Sequence, residues 1–282
     1  MSVRAPAPPA GPAAAPAPPS PPRSLAAMTR WSVRALRRAP LVWGGGIGAM
    51  CALMAAIWPS LEDSMDELMR SYPESLKRAF GIRDLTTVEA YVDAEMLSLV
   101  VPFVLGFFAV RSVERAIAGA EDRGHLDVLL ALPVRRRTLV AGTYAATGAV
   151  LAAILAVAWA ITLAAGTIAG TGLSGVRLAA GLGNVWPLAM FFAGLAVLVT
   201  GIAHRPAVVT GVAFGTLVAM YTVDLVGRLS DPLEPVRFAS AFRWYGSAIQ
   251  DGLDPVHVAV LTAAGVALAA AGAVLFERRD VL

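Results

Sequence analysis

Catalysis needs a nucleophile with its base, a cluster of metal ligands or a phosphate cradle, and this sequence supplies few of them. The chain holds one cysteine, Cys51, and three histidines, His125, His204 and His257. A single thiol excludes an internal disulfide and any multi-cysteine metal site. None of the histidines sits in an H-x-x-x-H or H-E-x-x-H spacing, so no two imidazoles share a helix face toward zinc. His204 and His257 read instead as solvated or capping residues at helix ends. A phosphate-binding loop needs a glycine-rich turn closing on Gly-Lys-Ser/Thr, whose backbone N–H groups and lysine hold the phosphates. The only lysine, Lys77, lies between Leu76 and Arg78, so no such loop is present and the chain is not a P-loop ATPase. One nucleophile pattern remains. Gly172-Leu-Ser-Gly175 offers Ser174, with His257 as the candidate base. The two must meet within hydrogen-bond reach to act together, and Ser174 lies in a short polar loop while His257 lies at the outer edge of an apolar segment.

The elements that position these groups belong to a membrane protein. Of the 282 residues, 57% are hydrophobic and 15% charged, with a mean hydropathy of +0.66. Soluble domains carry about 25% charge, so a soluble enzyme is excluded. The formal net charge of +3 is too small, and the basic residues too scattered, for a nucleic-acid groove. A membrane-crossing helix needs about 20 mostly apolar residues, and six stretches qualify: Leu41–Trp58, Met96–Val110, Leu139–Ala165, Leu182–Ala203, Ala207–Leu225 and Val256–Phe276. The second is short as written and is expected to begin near Tyr91, bringing Asp93 and Glu95 to the outer interface. Lys and Arg are retained on the cytoplasmic side. With both termini inside, 15 of the 23 basic residues fall on that side, and 14 of the 20 acids fall on the other. Six spans with cytoplasmic termini is therefore the predicted topology.

Residues 1–27 are a Pro/Ala tract with no hydrophobic period, in which repeated proline prevents core packing. Two readings fit it equally, a disordered cytoplasmic tail or a start codon placed ahead of Met28. Residues 28–282 form the membrane domain. Between the first two spans Leu61, Met65, Leu68, Met69 and Tyr72 recur at helical spacing among acids until Pro73, which predicts an outer amphipathic helix along the bilayer. Ala241-Phe-Arg-Trp-Tyr-Gly246 reads as an interfacial anchor. Glycines such as Gly44, Gly48, Gly265 and Gly272 permit close helix approach, or reflect the base composition of the genome. No charge lies clearly in the middle of a span; Asp224 sits near an outer end.

The most informative stretch is the inside loop Arg111–Arg137. Leu126, Leu129 and Leu130 fall on one helical face, Glu121 and Asp122 precede them where acids favour a helix N-terminus, and Pro133 ends the run before three arginines. Read from the residues alone, this is an amphipathic helix lying on anionic lipid.

The same segment resembles the E-x-x-x-G-T-L-E-x-L-L-A-x-P-V-S-R signature of ABC-2-type permeases, the membrane subunits of one class of ABC exporters. Glu121, Gly124, Leu126, Leu129, Leu130, Ala131, Pro133, Val134 and Arg136 fall on the pattern. Asp127 replaces Glu, His125 stands for Thr and Arg135 for Ser. The acidic outer segment, Phe242-Arg-Trp-Tyr245 and the terminal Phe276-Glu-Arg-Arg-Asp-Val-Leu282 resemble the same permeases. The resemblance implies an all-α, six-span fold and an exporter subunit that is not itself an enzyme. Glu121, Gly124, His125, Leu126, Asp127, Leu129, Leu130, Pro133 and Val134 would form a coupling helix docked into a separate P-loop ATP-binding subunit. ATP and Mg would sit on that partner, in two copies, with a second permease, as homodimer or heterodimer, completing the pathway across the cytoplasmic membrane. The alternative is a six-span rhomboid-like intramembrane serine protease using Ser174 and His257, whose G-x-S-G pattern residues 172–175 match; its second span, however, lacks the His and Asn of an oxyanion site.

Overall fold

A computed structural model describes residues 21–71, 73, 87–122, 136–203 and 205–278, and among these every regular element is helical. A first helix, α1 (Pro21–Ala35), precedes the spans and straddles the boundary expected at residues 27 and 28. Then follow α2 (Gly45–Ser71), entered by a π turn at Pro40–Gly44, α3 (Val88–Val92), α4 (Val100–Ala116), α5 (Ala118–Asp122), α6 (Arg136–Ile168), α7 (Gly175–Ile202) and α8 (Pro206–Leu229). A 3-10 segment at Asp231–Ala239 leads to α9 (Ala241–Tyr245), α10 (Ala248–Asp251) and α11 (Pro255–Arg278). Among the described residues five helices are long and apolar enough to cross a membrane, Pro40–Leu61, α6, α7, α8 and α11. A sixth crossing comes from Val88–Leu97 and Val100–Ala116, which meet at 43°. The all-α membrane architecture agrees with the sequence, and the second span begins even earlier than Tyr91.

Pro102 accounts for the break in that span. A proline ring clashes with the carbonyl four residues back and removes its hydrogen bond, here at Ser98, beside the irregular Leu99 that begins α4. The preceding turn, Asp93–Leu97, is a π turn closed by Ser98 N–H donating to Asp93 O at 2.8 Å. Other boundaries follow their side chains. Thr87 caps α3 by accepting from Ala90 N–H at 3.2 Å, and Asp254 caps α11 by accepting from Val256 N–H at 2.8 Å. Gly170 and Gly172, with φ of +66° and +72°, turn the chain between α6 and α7, a left-handed conformation that a Cβ disfavours.

α7 is the central helix, in contact with α4, α6, α8 and α11. Phe192, Leu178, Leu182 and Leu188 on it are fully buried. Its partner α11 packs by backbone: a Cβ on Gly194 would stand 2.2 Å from Gly265 O, and one on Gly272 2.5 Å from Val197 O. The first span uses the same device on α6, where a Cβ on Gly44 would meet Ile154 O at 2.6 Å and one on Gly48 the Ala158 and Ile161 positions near 3 Å. Gly45 and Gly46 meet nothing. Close approach is thus what Gly44, Gly48, Gly265 and Gly272 provide.

Two expected elements take a different form. The amphipathic run from Leu61 is not a separate helix, because α2 carries the first span without interruption through Pro59 to Ser71; Tyr72 lies outside the described residues. The Ala241–Gly246 segment is not an interfacial anchor either. Phe242 and Tyr245 are 2% and 7% exposed, and Phe242 packs on Phe103, Phe192, Tyr221 and Tyr245 with ring centroids 5.3–6.4 Å apart. Its aromatic residues supply the core where the broken second span leaves room.

Candidate functional site

Charges sort to the two ends of the bundle. One end, here the basic end, carries Arg30, Arg34, Arg37, Arg38, Arg111, Arg115, Arg136, Arg137, Arg205 and Arg278. α1 lies against α6 there, with Met28 and Ser32 buried, and its approach is set by Gly142, where a Cβ would stand 2.8 Å from Met28 Cβ. Arg30 and Arg34 stay exposed on its other face. The expected loop leaves α4 and returns at α6 from this end. Arg137 pairs with Glu277, fastening the start of α6 to the end of α11. Arg111 Nη1 lies 2.6 Å from Glu114 Oε2 and 3.3 Å from Thr210 Oγ1, fastening α4 to α8. Glu114 is 3% exposed, and its Oε2 is satisfied by the guanidinium charge without an aligned hydrogen bond.

Between α1, α4 and α6 the basic end encloses a cavity of about 450 Å³. Trp31 and Trp43 flank it, Arg111 and Arg115 enter from α4, and Ser32 and Thr143 come from α1 and α6. Among the described residues no carboxylate lines it. This cavity was invisible in the sequence, since its wall is completed by a helix preceding the first span.

Of the predicted coupling residues, Gly124, His125, Leu126, Asp127, Leu129, Leu130, Pro133 and Val134 lie outside the described residues. Glu121 is described in backbone alone, in α5, whose Ala118 and Ala120 are buried against the bundle. Lys77 and His204 also fall outside.

The opposite end gathers carboxylates. Asp93, 7% exposed, accepts from Ser247 Oγ and, at 2.8 Å, from Gln250 Nε2. It joins the broken second span to the segment before α11 and does not sit at an open interface as expected. Asp224 accepts from Arg228 Nε at 2.8 Å and Arg237 Nε at 2.9 Å, which closes the 3-10 segment back onto α8. Tyr245 donates its hydroxyl to Leu97 O at 2.9 Å. Burial first, and the charge of Asp93 second, push the Tyr245 phenol well above its ordinary range, so it remains a donor. None of this was legible as chemistry, because Ser247 and Gln250 belong to no motif.

Ser174 and His257 also lie toward this end and are each engaged elsewhere. Ser174 Oγ caps α7 by accepting from Arg177 N–H at 3.4 Å, while its own N–H donates to Glu89 Oε1 at 2.9 Å. His257 faces Asp254, 3.9 Å away, and the Trp244 ring, 5.3 Å away. Among the described residues no hydrogen bond links the pair, and no three His, Cys, Asp or Glu side chains converge as a metal site.

No curated protein matches the chain. Residues 25–277 match the family described as the C-terminal domain of the multidrug efflux system permease Rv1217c. That range takes in α1 from Leu25 onward, the crossings up to Glu277 and the loop with the ABC-2-type signature. A helical bundle with apolar crossings, no phosphate loop and this family assignment together define the chain: it belongs to the Rv1217c C-terminal family of multidrug efflux permeases and is a multi-pass membrane transport subunit.

Proposed function

We propose that this chain is the permease subunit of an ABC exporter of the cytoplasmic membrane. ATP, with Mg, is hydrolysed on a separate P-loop subunit present in two copies, and a second copy of this chain completes the pathway as a homodimer. Both termini and the loop between α4 and α6 face the cytoplasm, and the helix from Glu121 to Val134 transmits the ATPase stroke. The observation that carries this reading is the efflux-permease family match over residues 25–277 in a chain whose loop bears the coupling signature and which has no phosphate loop. The concentration of arginines at the loop-bearing end supports the orientation.

A helix that only rests on lipid tolerates Leu129→Asp with modest loss, since its binding energy is spread along the surface. A helix seated in a protein groove does not, because the carboxylate forfeits about 1.5–3 kcal/mol of apolar burial and adds an unpaired charge. Leu129→Asp or Leu130→Asp is therefore expected to leave membrane insertion intact but to release the ATPase or uncouple its turnover from export. Glu121→Ala is expected to weaken coupling less. Co-purification of the ATPase together with substrate-stimulated ATP turnover in reconstituted membranes measures both effects. Wild-type values for Leu129→Asp in both assays would remove the coupling assignment.

A further inference from the structure

The cavity at the basic end is polar by the names of its residues and apolar by the surface it offers. Arg111 is committed to Glu114 at 2.6 Å and to Thr210 at 3.3 Å, and Arg115 is likewise engaged. The hydroxyl oxygens of Ser32 and Thr143 are covered by neighbouring atoms and reach no ligand. Thr147 donates its hydroxyl to Thr143 O at 3.0 Å. What remains open on the lining is aromatic: Trp31, Trp43 and Phe107 are 52%, 37% and 37% exposed. The rings of Trp43 and Phe108 stand 5.7 Å apart at 60°, within the spacing at which aromatic pairs attract. The volume of about 450 Å³ falls within the range of small-molecule pockets.

These properties select the occupant. Buried water needs several polar partners, which this wall withholds. An anion has to compete with Glu114 for Arg111, and a cation is disfavoured beside two guanidinium groups. A neutral ring gains by leaving water, makes edge and offset contacts with indole and phenyl groups, and presents its face to a guanidinium favourably. α1 precedes the first span and α4 ends here, so the cavity lies at the level where a bilayer turns from hydrocarbon to headgroups, the level favoured by tryptophan. We propose that this cavity binds a neutral, planar aromatic molecule that reaches it from the bilayer. Ala35 on α1 and Ala116 on α4 are small side chains on its walls, which leave the space such a molecule fills.

Binding is read on the purified full chain in lipid nanodiscs with phenylnaphthylamine, a neutral dye that fluoresces in apolar surroundings, by energy transfer from tryptophan. Saturable transfer above the linear uptake of empty nanodiscs is expected, with ethidium, a planar cation, displacing the dye poorly. Ala35→Phe with Ala116→Phe fills the cavity and is expected to weaken binding by about tenfold or more. Val212→Phe, at a position 47% exposed on α8 and outside the lining, is expected to leave it unchanged. Phe107→Leu keeps an apolar surface but removes a ring, and about fivefold weaker binding is expected. Linear uptake alone, undiminished binding on a double variant that melts like the wild type, or ethidium competing as well as unlabelled neutral aromatics, would overturn the proposal. Unchanged affinity in Phe107→Leu would overturn it too, since a cavity for acyl chains does not distinguish leucine from phenylalanine; this variant alters one partly exposed side chain and decides the matter if the double variant fails to fold. The measurement needs no ATPase, so its failure and a failure of the exporter reading are distinguishable.

Discussion

Replacing Gly194 by alanine tests whether the contact between the fourth and sixth spans depends on the absence of a side chain. The new Cβ would stand 2.2 Å from Gly265 O, 2.9 Å from its carbonyl carbon and 3.1 Å from its Cα. All three are backbone atoms, so no rotamer change relieves the overlap. To bring the closest pair to 3.0 Å, the short limit of real Cβ contacts, the helices must part locally by about 0.8 Å. A gap of that size forfeits roughly a quarter to a half of the dispersion energy of each contact it opens, and overpacking of a tight interior costs about 1–3 kcal/mol. Since the two helices are already locked again at Gly201 and Gly272, relaxation at one site is resisted by the other, which places Gly194→Ala at the upper end of that range. Gly215→Ala is the matched control, because it lies on α8 and its Cβ meets nothing within 4 Å; better helix propensity favours it by up to about 1 kcal/mol. Thermal melting of the purified protein in detergent, read by the fraction surviving size exclusion, should move down for Gly194→Ala and stay level or rise for Gly215→Ala. Equal midpoints for the two variants would refute close backbone packing as the basis of this interface.

Three further outcomes are expected. Ser174→Ala removes the cap of α7 and should cost about 0.5–2 kcal/mol in stability while leaving ATPase turnover of the assembled complex intact; loss of turnover with normal assembly would revive the hydrolase reading. Asp224→Asn leaves Arg228 and Arg237 without their shared, buried carboxylate, a loss of about 3–5 kcal/mol readable as a lower melting midpoint, and an unchanged midpoint would show that the triad is idle. In a background with Cys51 replaced, a membrane-impermeant thiol reagent applied outside intact cells should label Ile168→Cys and spare His125→Cys, and external labelling at 125 would reverse the topology.

What the sequence disclosed follows from which forces act locally. The crossings were legible because a bilayer demands long apolar runs, and their centres were placed well, though α7 begins at Gly175 where the reading began at Leu182. Arg177 and the surrounding glycines masked that first turn. The break at Ser98–Leu99 had a signal four residues later in Pro102, but a proline in a membrane helix is often accommodated, so the residue alone does not give the bend. Gly44 and Gly48 were recognisable as approach sites, while their neighbours Gly45 and Gly46 were not separable from them without knowing which face meets α6. The aromatic cluster around Phe242 escaped detection because Trp and Tyr beside a span carry the same signature whether they face headgroups or plug a core. The cavity at Ser32 and Thr143 joins residues more than a hundred positions apart, across an element with no hydrophobic run to announce it.

The glycine seams also bear on how the chain enters its membrane during synthesis. The first span has its close backbone partner in the third, at Ile154 and Ala158, so a nascent chain carrying only two crossings holds its opening helix in lipid with its notch unfilled. The central fourth helix waits longer, since Gly265 and Gly272 arrive only with the last crossing. Assembly therefore has an order: an early unit of α1, the first span and α6 forms while translation continues, and the bundle locks after the final helix is released. A chain truncated before α11 should accordingly insert all its remaining helices yet remain a substrate for membrane proteases, whose prey is the helix that has reached the bilayer and found no neighbour.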